Sequence, residues 1–132
     1  MYLIDSSAWI EYLQPNGSQK AKQQVHAILK GDDAVTCGIV VVEVLRGVRN
    51  ESDYEDLKTA MLSLPLLPID EYAIERAAKW GFALGRKSRI VPTTDLFIAS
   101  CAYKKATIIH LDRDFEIIRS VADIEEKRIS SS

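Results

Sequence analysis

Four carboxylates stand where chemistry could be built. Asp5 and Asp112 each follow a short apolar run, Tyr2 to Ile4 and Thr107 to Leu111, that reads as a buried strand. Asp95 follows Pro92, Thr93 and Thr94 at the start of an apolar helix. Glu43 lies inside Val40 to Leu45, where an ionised carboxylate without a partner costs several kcal/mol. Gathered around one crevice, these acids would repel one another, and such a set is tolerable only with protons or cations among them. Ligands that are all oxygen favour hard ions, so the physical inference is Mg2+, with Mn2+ as the alternative. Asp114, two positions past Asp112, could join as an outer ligand or cap its own helix.

Each residue also has a plainer reading. The aspartates could cap the helices that follow them, and Glu43 could pair with Arg46 three residues on. Ser6 or Ser7, Ser7 being favoured, could hold an ion-bound water beside Asp5, although serine in the first turn of a helix needs no functional reason. Arg46, Arg86, Lys87, Arg89 and Arg113 either form a solvated surface or bind the phosphates flanking a scissile one. Trp9, Tyr12 and Phe97 are core candidates, and Trp9 or Tyr12 would stack on bases only if exposed. His26 lies on an ordinary amphipathic helix and His110 reads as a packing residue, both outside the site.

Other chemistries lack their parts. There is no G-x-S-x-G elbow for a serine hydrolase and no phosphate loop of the G-x-x-x-x-G-K type. Cys37 and Cys101, 64 positions apart, have no Cys or His at ligand spacing and read as two reduced, buried thiols. A phosphoacceptor domain of receiver type would want a better aspartate than Asp70 after the third strand, and a lysine after the fifth.

These acids need a frame. The pattern predicts strands at 2–4, 34–37, 66–69 and 107–111, with a weak edge strand at 121–124. Helices are expected after Asp5, from Ser18 to Gly31, over 39–45 and on through Gly47 and Val48, around 54–64, after Asp70, from Thr94 and through 115–118. Short apolar strands alternating with helices, with no hairpin turn between them, predict an α/β domain: a parallel sheet of four to five strands with helices on both faces. In such a sheet the ligand sits beyond the carboxyl ends of the strands, where Asp5 and Asp112 fall.

The 132 residues, 14.8 kDa, suit one core, assigned to 1–127, with 128–132 as a frayed polar tail. A hydrophobic share of 47% and a charged share of 27% exclude a disordered chain. The net charge of −2 means that any nucleic acid must be held by a local patch. No apolar run approaches the roughly 18 residues of a membrane span and no signal-peptide pattern opens the chain, so a cytoplasmic protein is expected.

Four segments together resemble the PIN-domain nucleases, in particular the small VapC-type toxins of toxin–antitoxin pairs. They are Leu3-Ile4-Asp5-Ser6-Ser7, Val42-Glu43-Val44-Leu45-Arg46-Gly47, Pro92-Thr93-Thr94-Asp95 running into Ile98-Ala99, and Leu111-Asp112-Arg113-Asp114-Phe115. The similarity extends from about Met1 to Val121. It implies a magnesium- or manganese-dependent endoribonuclease, often homodimeric, inhibited by a small VapB-type antitoxin encoded alongside. It carries over Asp5, Glu43, Asp95 and Asp112 as the metal-binding quartet, Asp114 as an additional acid, and Ser7 as a polar neighbour of the metal. The expected reaction is attack on an RNA phosphodiester by water whose pKa the ion lowers, leaving a 5′-phosphate and a 3′-hydroxyl. The rival expectation is a module without catalysis, whose acidic crevice takes basic side chains of a partner.

Overall fold

The computed structural model describes residues 1–129. Five strands, β1 (Tyr2–Ile4), β2 (Ala34–Cys37), β3 (Leu66–Leu67), β4 (Thr107–His110) and β5 (Glu126–Arg128), form one sheet in the order β3-β2-β1-β4-β5, every pair parallel. Successive side chains of a strand point to opposite faces, yet Leu3, Ile4, Ile108 and Ile109 are all fully buried. Both faces of the central strands are therefore covered, which is why these strands read as unbroken apolar runs.

The covering elements are α1 (Ser6–Leu13), α2 (Gln19–Lys30), α3 (Gly38–Leu45), α4 (Glu51–Leu62), α5 (Glu71–Arg86), α6 (Thr93–Ala102) and α7 (Asp114–Arg119). Their starts follow local chemistry. The side chains of Asp5, Ser18, Asn50 and Asp70 accept backbone N–H groups at the beginnings of α1, α2, α4 and α5. Ala77, Trp80 and Leu84 form the buried stripe of α5, which packs along α6.

Several boundaries differ from expectation. β3 is two residues long because Pro68 has no N–H to continue the ladder. β4 stops at His110, since the Leu111 N–H turns to the Ser7 hydroxyl. α3 ends at Leu45 and does not run through Gly47 and Val48. Residues 121–124 are not a strand: Ala122 and Ile124 are buried as anchors of the turn after α7, and the edge strand is β5. Backbone bonds hold it there, the Ile108 N–H to the Glu125 carbonyl and the Ile129 N–H to the His110 carbonyl. Arg128, assigned to the tail from sequence, thus closes a strand, and Ile129 is buried behind it. The rest of that expected tail, 130–132, lies outside the described residues.

The chain builds β1, β2 and β3 toward one side, then crosses to β4 and β5 on the other. The order reverses between β1 and β4, paired as Tyr2↔Thr107, Leu3↔Ile108 and Ile4↔Ile109. Side chains following either strand share the crevice beyond that point.

Candidate active site

Asp5 leaves the end of β1 and is buried, with 2% of its surface exposed. Its Oδ2 accepts the Ser7 hydroxyl at 2.6 Å and the Ser7 N–H at 3.1 Å, so it caps α1 as the plainer reading had it. Its Oδ1 is buried with no partner at all. A cap uses one oxygen; the second points to something else. Burial pushes the Asp5 carboxyl up from its ordinary value of 3.8, against the pull of the Ser7 bonds.

Across the sheet switch, Asp112 follows β4 and Asp114 opens α7. The Asp114 N–H donates to Asp112 Oδ1 at 2.9 Å. Asp95, in the first turn of α6, is buried, and its Oδ2 also has no partner. Carboxylate oxygens of Asp95, Asp112 and Asp114 lie within 4.8 Å of one another. Burial first, then the charges of Asp112 and Asp5, push Asp95 up to about 8, and Asp114 is raised by burial and by Asp112. Three carboxylates this close repel one another, and a proton or a cation among them relieves that repulsion.

Glu43 projects from α3, half-buried, while its neighbour Val42 is 66% exposed. It is not sealed among valines. Its partner is Ser6, whose hydroxyl donates to Oε1 at 3.1 Å, and Arg46 acts on it only through charge. Burial raises Glu43, the Ser6 bond lowers it, and the charges of Asp5 and Asp112 raise it again. Asp5 and Glu43 are therefore electrostatic neighbours of the trio, although they stand outside its 4.8 Å cluster.

Ser7 joins two parts of the site. Its hydroxyl donates to Asp5 and accepts the Leu111 N–H at 3.0 Å, tying α1 to the end of β4. The sequence offers Ser6 together with Ser7 beside Asp5 and favours Ser7; what it does not show is that the Ser6 hydroxyl goes to Glu43, 37 positions away. His110, expected as a packing residue, is fully buried against Phe115, yet its Nδ1 accepts the Asp112 N–H. Trp9 is core, with Tyr12 edge-to-face on it. Arg46, Arg86, Lys87, Arg89 and Arg113 are all exposed. A groove of about 1030 Å³ runs from Glu43 between α1, α3 and α4, walled by Ile10, Leu13, Val44, Val48 and Leu57, with Asp53 and Asp56 also lining it.

Asp95, Asp112 and Asp114 thus meet in one cluster with Asp5 and Glu43 as charged neighbours, and residues 2–121 match the family model described as PIN domain. The chain belongs to the PIN-domain family. Among PIN-domain proteins it is 30% identical over 130 residues to Ribonuclease VapC11 of Mycobacterium tuberculosis, covering 95% of this chain and 96% of that one. It is 25% identical over 126 residues to Ribonuclease VapC18 of the same organism, covering 92% and 89%. Its PIN fold superimposes with a TM-score of 0.77 on VapBC2 from Rickettsia felis, a structure bound to a DNA fragment from its promoter, at 16% identity over 96% of this chain and 97% of that one.

Proposed function

We propose that this chain is a divalent-metal-dependent endoribonuclease and the toxin of a toxin–antitoxin pair. The observation that carries the reading is the convergence of Asp95, Asp112 and Asp114 within 4.8 Å, beside the unpartnered Asp5 Oδ1 and Asp95 Oδ2. Oxygen donors alone, crowded until burial and mutual repulsion push their carboxyls up, fit a hard cation of the Mg2+ or Mn2+ kind. Asp5, Glu43, Asp95 and Asp112 would hold it, with Asp114 in the set. The relatives named ribonucleases, matched over nearly their whole length, support RNA as substrate.

When bound, the ion supplies positive charge at the scissile phosphate and acidifies attacking water. The protein supplies the rest. Ser7 and Ser6 fix the rotamers of Asp5 and Glu43, so the carboxylates are aimed before substrate arrives. Arg46 and Arg113, exposed beside Glu43 and Asp114, can hold the neighbouring phosphates.

Purified protein should cut RNA with Mg2+ or Mn2+, stop with a chelator, and leave a 5′-phosphate and a 3′-hydroxyl. Cyclic phosphate ends, or cutting by folded Asp5→Asn protein, would overturn the reading. The groove beside Glu43 favours a companion role: apolar walls with acidic residues along them suit a basic, amphipathic segment of a VapB-type antitoxin. An arginine of that segment could reach the same carboxylates, and the cognate antitoxin should then inhibit in competition with metal. A homodimer is part of the proposal, supported by Phe82 and Ile90 at 68% and 93% exposure, and light scattering tests it. So is a reducing cytoplasm, in which Cys37 and Cys101 stay thiols.

A further inference from the structure

His110 is fully buried at the end of β4, two residues before Asp112, and both ring nitrogens are engaged. Nδ1 accepts the Asp112 N–H at 3.1 Å. A nitrogen that accepts carries no proton, so the ring proton stands on Nε2, 2.6 Å from Glu126 Oε1. Glu126, on the edge strand β5, has 5% of its side chain exposed, and its Oε2 takes Arg119 Nη1 at 2.7 Å. Arg119, at the end of α7, thereby balances the Glu126 charge and leaves the histidine as the oriented member of the row. The Asp112 carboxylate in turn accepts the Asp114 N–H.

We infer that His110, with Glu126 behind it, is a positioning residue: it fixes the main chain at Asp112 and so aims that carboxylate and the start of α7 at the metal site. The inference rests on the reading of Asp112 as a ligand. It makes β5, beyond the 2–121 span of the family match, a support of the site. Partners that orient a metal ligand from behind commonly matter nearly as much as the ligand itself.

Two substitutions separate positioning from packing. The Oδ1 of His110→Asn stands where Nδ1 stood and can still accept the Asp112 N–H. His110→Gln fills more of the volume and keeps a donor for Glu126, but offers nothing at the Nδ1 position. Positioning expects His110→Asn to bind Mn2+ within about threefold of wild type in calorimetry, and His110→Gln to bind about 10- to 100-fold more weakly. A purely structural histidine expects the reverse order. Without metal, nitrogen-15 spectra of the wild-type ring should show Nε2 protonated and Nδ1 bare, and exchange of the Asp112 amide should be slow. That protection should persist in His110→Asn and disappear in His110→Gln and Glu126→Leu. A proton on Nδ1, a fast Asp112 amide in wild type, or equal Mn2+ affinity in the two histidine variants overturns the inference. Failure of wild-type protein to take up Mn2+ overturns the metal reading instead, while the ring and amide measurements still decide this one. If neither histidine variant folds, the wild-type spectra decide it.

Discussion

At Asp95, burial and like charge act in the same direction. An acid whose folded pKa stands above its unfolded value binds its proton more tightly when folded. Folding is thus favoured below pH 3.8, weakens as pH climbs, and has lost the full contribution once pH passes about 8. Asp95→Asn removes the titration: metal-free protein should gain at least about 1.4 kcal/mol at pH 8 and little at pH 4, while cleavage is abolished. Thermal melts in chelator at the two pH values check the first part. For the same reason Mn2+ should raise the melting temperature of wild type more at pH 8 than at pH 5, and should do so far less for Asp95→Asn. Ser7→Ala has two consequences at once. It strips Asp5 of its closest donor and leaves the Leu111 N–H unsatisfied, so a loss of about 1–3 kcal/mol in urea unfolding is expected, with a lower kcat in the protein that remains folded.

At the scale of elements, the turn between α1 and α2 is tight for a definite reason. A Cβ at Gly17 would stand 2.1 Å from the Glu11 carbonyl oxygen, an atom fixed in α1, and the adjacent Ser18 N–H bonds the Glu11 side chain. Gly17→Ala should cost about 1–3 kcal/mol in chemical unfolding and leave the cleavage rate of folded molecules unchanged. The sequence displayed most of the elements, because caps such as Ser18 and Asp70 and stripes such as Ala77, Trp80 and Leu84 are local signals. It displayed the acids as well, since Asp5 and Asp112 end apolar runs. The misplaced edge strand has a physical cause. Ala122 and Ile124 look like a strand because they are buried, but only backbone pairing makes a strand, and β5, spelled Glu-Lys-Arg, has no apolar pattern to show. Glu126 in such a segment reads as solvated until β4 lies beside it. Ser6 and His110 likewise acquire roles from residues 37 and 16 positions away, which no local pattern encodes.

For the molecule as a whole, a net charge of −2 means that the proposed hold on RNA would rest on exposed basic side chains such as Arg86, Lys87 and Arg89. Binding of uncleaved RNA to Asp5→Asn protein should weaken with salt. Replacing Arg86, Lys87 and Arg89 by Gln should flatten the logarithmic slope by about 0.7 for each phosphate that is no longer neutralised, as read by fluorescence anisotropy. An unchanged slope would assign that cluster to plain solvation.

The pairing of β1 with β4 has a temporal side. Asp5 is synthesised well before the strand that completes its crevice, which begins at Thr107, about 100 residues later, or roughly 5–20 s of elongation. Until then the first strand has one open flank, and Asp112 and Asp114 do not yet exist. A message broken before that point yields a fragment without the cluster of Asp95, Asp112 and Asp114.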